Sequence, residues 1–126
     1  MFLKEIKQPE EAREHFQKAI EGFNIELAEE PNSLVAISGM GVALVQVGQL
    51  EVATKYLQQA VNMNSYDVQS HLLLARTLVK QERYDEAIAT LKNAVEFMSK
   101  LGDKKTIVEL QKFIGEVNSE KSKANK

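Results

Sequence analysis

The chain contains no cysteine and no tryptophan among its 126 residues, and it has only two prolines. The absence of cysteine excludes disulfides and thiolate metal sites, and it suits a reducing compartment. Aromatic residues make up only 6% of the chain, which argues against a surface that stacks nucleic-acid bases. The net charge of −2 argues the same way, because nucleic-acid-binding proteins normally carry a strong basic excess.

Long apolar runs are missing as well. No stretch approaches the roughly 18 apolar residues that a membrane-spanning helix requires. The segment from Met1 to Lys7 is too short and too charged to be the apolar centre of a secretory signal. The sequence therefore predicts a cytoplasmic protein without membrane insertion. Its length and its 44% hydrophobic content are sufficient for one domain with a buried core.

The most informative feature that is present is an internal repeat. Seven mostly apolar positions recur later in the chain at one constant spacing, with the same or a similar residue type. The first set is Leu44, Val45, Leu50, Ala53, Leu57, Ala60 and Val61, and the second is Leu78, Val79, Tyr84, Ala87, Leu91, Ala94 and Val95. A fixed period of this length predicts stacked helical units, in which each unit covers the apolar face of its neighbour.

Apolar residues spaced three and four apart predict about six helices joined by short turns. The first helix is expected to begin at Pro9 and to end before Pro31, because proline favours the first helical position and disfavours helix in the residue before it. Ser33, Asp67 and Asp103 are predicted to cap later helices. The tail 119–126 has no apolar residue larger than alanine, and it is predicted to be disordered.

Residues 34–41 also fit a β-strand that leads into a glycine turn of a nucleotide-binding enzyme. In that interpretation Gly39 and Gly41 would approach a phosphate. Leu44 occupies the place of the third glycine and no second strand follows, so the interpretation is disfavoured. Gly41 is instead predicted to let a neighbouring helix approach closely, as Ala75 would one period further on.

Together these motifs resemble the tetratricopeptide repeat (TPR) family, whose repeat is about 34 residues long. Met40-Gly41 and Leu44, followed by Ala53, Leu57 and Ala60, resemble one full repeat over about 34–67, and the matching residues resemble a second over about 68–101. Residues 9–33 resemble a degenerate first unit, and 103–118 a capping helix. In a rival alignment Ala12, Phe16 and Ala19 carry the second-helix pattern. The resemblance implies an all-α fold of antiparallel helix pairs in a right-handed superhelix.

The resemblance also implies a non-enzymatic scaffold or adaptor that binds a peptide or helix of a partner protein in a concave groove. The groove positions carried over from the family are Val35, Ser38, Gly39, Val42, Val45, Gln46, Gln69, Leu72, Arg76, Val79 and Lys80. Five of them, Val35, Val42, Val45, Leu72 and Val79, form an apolar stripe. Family members that bind a C-terminal carboxylate have Asn where this chain has Val42, so that ligand is disfavoured.

Two alternatives stay open from the sequence. The apolar stripe is filled either by a partner or within the protein, by the segment Met1-Phe2-Leu3 or by a second copy of the chain. The first unit lacks a recognisable first helix, which leaves Phe16, Ile20 and Phe23 without a partner helix. This face predicts either a homodimer or a place in a larger repeat array.

No pattern of catalytic or metal-binding residues is apparent. The two histidines, His15 and His71, have no cysteine to accompany them, and His71 falls on an inward face where a packed imidazole is the expected role. The carboxylates near residues 10–14 and 29–30 are expected to face water. The sequence predicts no cofactor, no metal and no enzymatic activity.

Overall fold

A computed structural model describes the backbone of residues 2–125 and the side chains of residues 10–125. Six α-helices account for nearly all of this part of the chain, and no strand occurs in it. They are α1 (Phe2–Glu29), α2 (Leu34–Gln46), α3 (Leu50–Met63), α4 (Val68–Lys80), α5 (Tyr84–Leu101) and α6 (Lys104–Ala124). Each helix packs mainly against the next one in the chain. Because the connecting turns are short, successive helices run antiparallel. The predicted all-α fold of helix pairs is confirmed.

The helix starts follow from local side-chain chemistry, as predicted. The Ser33 hydroxyl accepts a hydrogen bond from the Ala36 amide at 3.2 Å at the start of α2. Asp67 accepts from the Gln69 amide at 3.1 Å at the start of α4. These side chains satisfy amide groups that have no partner in the first turn of a helix, and so they fix where the helices begin.

Two predicted boundaries are wrong. The first helix begins at Phe2 and not at Pro9, which lies inside it. The residues before Pro9 are mostly good helix formers, and they stay helical although Pro9 cannot donate a backbone hydrogen bond. The predicted disordered tail is helical through Ala124. There the Lys121 ammonium lies 2.6 Å from the Asp85 carboxylate at the start of α5, a contact that apolar patterning does not reveal.

The core lies between the helices of each pair and between successive pairs. The repeat positions predicted from the sequence are all buried in it: Ala53, Leu57, Ala60, Leu74, Ala75, Leu78, Ala87, Leu91 and Ala94. Leu110 and Val117 of α6 belong to the same cluster, so α6 covers the last pair as a capping helix does.

Gly41 allows α2 and α3 to approach each other closely. A β-carbon at this position would lie 2.6 Å from Cδ2 and 2.9 Å from Cγ of Leu57, which is closer than van der Waals contact allows. The predicted role of Gly41 is therefore confirmed. The leucine side chain occupies the space that any larger residue at position 41 would need.

The two turns within the helix pairs use the same left-handed backbone conformation with different residues. Gly48 has φ 83° in the first turn, and Glu82 has φ 60° at the corresponding position of the next repeat. A residue with a β-carbon is disfavoured in this region, whereas glycine is not. We expect Glu82→Gly to raise the free energy of unfolding by up to about 1 kcal/mol and Gly48→Ala to lower it by about 1 kcal/mol. Urea unfolding of the two variants beside the wild type measures both changes, and a destabilising Glu82→Gly would contradict this account of the turn.

The capping role of α6 depends on Leu110, whose side chain is 1% exposed. We expect Leu110→Ala to lower the free energy of unfolding by about 2–5 kcal/mol, because it leaves a cavity between α6 and the preceding pair. The matched control is Gln111→Ala, an exposed position on the same helix, which should change stability by less than about 0.5 kcal/mol. Equal midpoints for Leu110→Ala and the wild type in urea would show that α6 does not cap the stack.

Candidate functional site

Two clefts, one shared by α2 and α4 and the other by α4 and α6, place these three helices on one face of the stack, which we call the concave face. The larger of its two clefts has a volume of about 380 Å³ and separates α4 from α6. Its lining residues are Val68, Gln69, Leu72 and Arg76 from α4, and Thr106, Glu109, Leu110, Lys112, Phe113 and Glu116 from α6. Since α4 and α6 are separated by one antiparallel helix, they run in the same direction. The lining residues extend over about two to three turns of each helix, from 68 to 76 and from 106 to 116, so the cleft is elongated.

The α4–α6 cleft combines apolar walls with charges of both signs. The Arg76 guanidinium lies 6.0 Å from the centroid of the Phe113 ring, within the range of a cation–π interaction. Among the described residues Arg76 forms no ion pair, and so its charge is available to a ligand. Glu109 and Glu116 bring negative charge to the same cleft. Such a cleft can hold an apolar side chain and orient polar groups beside it.

One wall of the cleft is fixed by the cap of α6. Asp103 accepts hydrogen bonds from the Thr106 amide at 3.1 Å and from the Thr106 hydroxyl at 2.6 Å. These bonds favour the ionised carboxylate, so the pKa of Asp103 lies below its usual value, with Lys105 adding a smaller effect in the same direction. Thr106, which lines the cleft, is thereby held in place. Its hydroxyl hydrogen is donated to Asp103 and is not available to a ligand.

A smaller cleft of about 140 Å³ lies between α2 and α4 on the same face. Its lining residues are Ser38, Val42, Leu57, Ala60, Gln69, Ser70 and Leu73. Gln69 lines both clefts, so they are adjacent along the concave face. Val42 is 41% exposed and presents an apolar side chain at this cleft. An elongated ligand could therefore contact α2, α4 and α6 together.

The structure places the predicted groove residues in four different environments. Ser38, Val42, Gln69, Leu72 and Arg76 line one or both clefts. Val35, Gln46 and Lys80 are exposed but line neither cleft, and Val79 packs against the core. Val45 is buried within the core, and the ring of Phe23 covers Gly39. The predicted five-residue apolar stripe is therefore wrong, because the five side chains do not share one surface. Val45 points into the core, whereas Val35 and Val42 on the same helix are exposed.

Sequence reasoning missed the contribution of α6 to the cleft. Thr106, Glu109, Phe113 and Glu116 recur at spacings of three and four, which places them on one side of the helix. This spacing could have predicted that the four side chains share one side of α6. The pattern is harder to recognise than the apolar stripe of α6, because only Phe113 among the four is apolar.

The proposed self-association face on α1 is largely covered within the chain. Ile20 and Phe23 pack against the core, and a β-carbon at Gly39 would overlap the Phe23 ring. Phe16 is half-buried. The expectation that this face lacks a partner helix is therefore wrong for Ile20 and Phe23, because α1 packs against α2. The suggestion that Met1-Phe2-Leu3 fills the groove concerns side chains outside the described residues.

The histidines take structural and surface positions. His71 is buried, and its Nε2 donates a hydrogen bond to the Ser65 carbonyl oxygen at 2.8 Å. His15 is exposed. Across residues 10–125 no three His, Asp or Glu side chains lie close enough together to hold a metal ion. None of the helices described in residues 2–125 is long and apolar enough to cross a membrane.

A third cleft, of about 530 Å³, lies on the other face, between α3 and α5. Some of the polar side chains beside it bond to one another, and others bond to backbone carbonyl oxygens. Gln81 Nε2 donates to the Thr54 hydroxyl at 2.7 Å, and Arg83 Nη1 donates to Gln81 Oε1 at 3.3 Å. This network connects α3 to the turn between α4 and α5. It therefore contributes to the stacking of one repeat on the next.

The geometry defines a stack of helix pairs with a capping helix, and comparison with known proteins gives its family. The family model described as "Anaphase-promoting complex, cyclosome, subunit 3" matches residues 12–94, about two thirds of the chain. The chain belongs to this family, which is of the tetratricopeptide type. The predicted resemblance to TPR proteins is thereby confirmed. A search of the curated proteins found no significant match.

Solved structures show the same fold. The type III secretion translocator chaperone SycD of Yersinia enterocolitica has a TM-score of 0.72 at 16% identity, over 86% of this chain and 75% of SycD. The TPR2B domain of yeast Sti1, solved in a complex with pHsp70, has a TM-score of 0.72 at 16% identity, over 89% of this chain and 97% of the domain. MamA of Desulfovibrio magneticus RS-1 has a TM-score of 0.61 at 20% identity, over 89% of this chain and 76% of that one. At these identities the likeness shows the fold.

Proposed function

We propose that this chain is a protein-interaction module that holds a segment of a partner protein on its concave face. The observation that carries the proposal is the elongated α4–α6 cleft, in which apolar side chains lie beside the unpaired cation Arg76. Membership of a TPR family supports it, because stacked helical repeats commonly present extended binding surfaces. The proposal includes no catalytic role, and the cytoplasm stays the predicted location.

Two structural neighbours agree with this type of function. The TPR2B domain of yeast Sti1 was solved with pHsp70, and the TPR2AB domains of the same protein with pHSP90. Those ligands belong to those domains. For this chain they support only the general proposal that a segment of another protein is the ligand.

The chemistry of the two clefts narrows the kind of segment. An apolar side chain of the ligand would lie against Leu72 and Phe113, where its burial provides the main favourable free energy. A second apolar side chain would reach the smaller cleft at Val42. Charges of both signs in the larger cleft favour a ligand with a negative group near Arg76 and a positive group near Glu109. We therefore propose a segment with two apolar anchors and mixed charge.

The test is affinity selection of peptides from a random library, followed by measurement of binding to variants by calorimetry. We expect Val42→Glu and Arg76→Ala each to weaken a selected peptide by at least about tenfold, since one places a charge in an apolar contact and the other removes the cation that lies over Phe113.

Matched controls lie outside the concave face. Val52 on α3 is 43% exposed, nearly the same as Val42, so Val52→Glu should leave peptide affinity unchanged. Lys92→Ala on α5 is the corresponding control for Arg76→Ala. Affinities that do not change in the folded Val42→Glu and Arg76→Ala variants would show that the concave face is not the binding site.

A further inference from the structure

Helix α1 takes the position of a second helix in a repeat unit that has no first helix. In the full repeats the first helices, α2 and α4, cover the second helices, α3 and α5, whereas no helix precedes α1 in the described residues. The packing supports this register. The Phe23 ring lies against Gly39 of α2, and one repeat further on Leu57 of α3 and Leu73 of α4 line the same cleft. Helix α1 therefore stands to α2 as α3 stands to α4.

The absence of a first helix leaves one side of α1 incompletely covered. Ala53 and Leu57 of α3 are 0% and 2% exposed, and the corresponding alanine and leucine of α5 are fully buried. The same positions of α1 hold Ala19 and Phe23, which are only half-buried. Helix α2 packs on α1 as α4 packs on α3, so the additional exposure arises on the side where a first helix would lie.

Helix α2 presents an apolar side chain toward the same space. Val35 is 74% exposed, the highest value among the large hydrophobic residues of the described part of the chain. Gln69 holds the corresponding position in α4, and it lines the cleft that separates α4 from the first helix before it. Val35 therefore faces the place where a first helix before α2 would lie. We call the surface formed by Ala19, Phe23, Glu26 and Val35 the first-helix site.

The two full repeats show what kind of helix covers such a site. Gly41 of α2 lies against Leu57, where a β-carbon would overlap the leucine side chain, and Ala75 holds the same position in α4. A helix that covers α1 therefore needs a small residue opposite Phe23. Large buried residues stand one position before and three positions after each small residue, and they are Met40, Leu44, Leu74 and Leu78.

One charge distinguishes the first-helix site from the corresponding surfaces of the full repeats. Glu26 stands at the position of Ala60, which is 1% exposed, and its only described side-chain partner is the Ser33 hydroxyl, which donates to it at 3.4 Å. The helices of a pair run antiparallel. A residue three positions after the large residue of a second helix therefore lies opposite one about three or four positions before the small residue of the first. A basic residue there would face Glu26.

We propose that the first-helix site binds an amphipathic helix of another protein, which takes the place of the missing first helix. The partner helix has a small residue, with large apolar residues one position before it and three positions after it. It also has a lysine or arginine three or four positions before the small residue. Burial of the apolar side chains supplies the favourable free energy, and the charge opposite Glu26 selects the partner. The proposal does not depend on peptide binding in the α4–α6 cleft.

The test uses a synthetic peptide built from the first helix of this chain's own second repeat. The probe has the sequence of residues 66–81 with His71→Lys, which places a lysine four positions before Ala75. We expect the fluorescently labelled probe to bind the full chain with a Kd below about 100 µM by anisotropy. The same peptide with Ala75→Leu should bind at least about tenfold more weakly, because the leucine would overlap Phe23. Non-specific apolar association would give the opposite order.

Variants of the protein locate the bound helix. Glu26→Lys should weaken the probe at least about tenfold, and a peptide with His71→Glu in place of His71→Lys should restore the affinity for this variant. Val35→Lys should also weaken binding by at least about tenfold, since it places a charge in an apolar contact. The matched control is Val108→Lys on α6, a position that is 65% exposed, and it should leave the affinity unchanged. All three positions are exposed, so melting temperatures should stay close to that of the wild type.

Four results would each overturn the proposal. They are no binding of the probe up to about 1 mM, equal or tighter binding of the Ala75→Leu peptide, unchanged affinity in the folded Glu26→Lys and Val35→Lys variants, and association of the chain with itself that Val35→Lys abolishes. The last result would show that a second copy occupies the site instead of a helix from another protein.

Discussion

The close approach of α2 to α3 at Gly41 is the contact on which the arrangement of this stack depends. Leu57 occupies the space where a β-carbon would be, so the two helices of the first full repeat lie closer than larger residues permit. Ala75 and Leu91 hold the corresponding positions in the next repeat, and both are fully buried. Because the same small-to-large pairing recurs from one repeat to the next, the pairs can stack with their first helices on one face. That face carries both clefts of the proposed binding site.

The sequence predicted those features that depend on neighbours along the chain. Ser33, Asp67 and Asp103 each accept a hydrogen bond from an amide two or three residues further along the chain, so local spacing is enough to identify these caps. The helical tail was missed because it has no large apolar residue and so no periodic apolar pattern, and its contact between Lys121 and Asp85 joins residues that are distant in sequence. The site was predicted only in part, since Val42 and Val45 are three residues apart on one helix and only its rotation in the stack decides which of them faces a ligand. The contribution of α6 depends in the same way on how the capping helix packs.

The structure assigns different tasks to different surfaces. The face between α3 and α5 has polar side chains that bond to one another and join the repeats. The concave face has an unpaired cation over an aromatic ring and apolar walls, which suits a ligand from another protein.

The central claim is that a partner segment binds across α4 and α6, and amide chemical shifts test it most directly. A peptide selected by binding is titrated into isotopically labelled protein, and the shifts of every assigned amide are followed. The account predicts that the largest changes occur within 68–76 and 106–116, with smaller ones near Val42. Changes confined to α3 and α5 would contradict it, because the ligand would then lie on the opposite face of the stack.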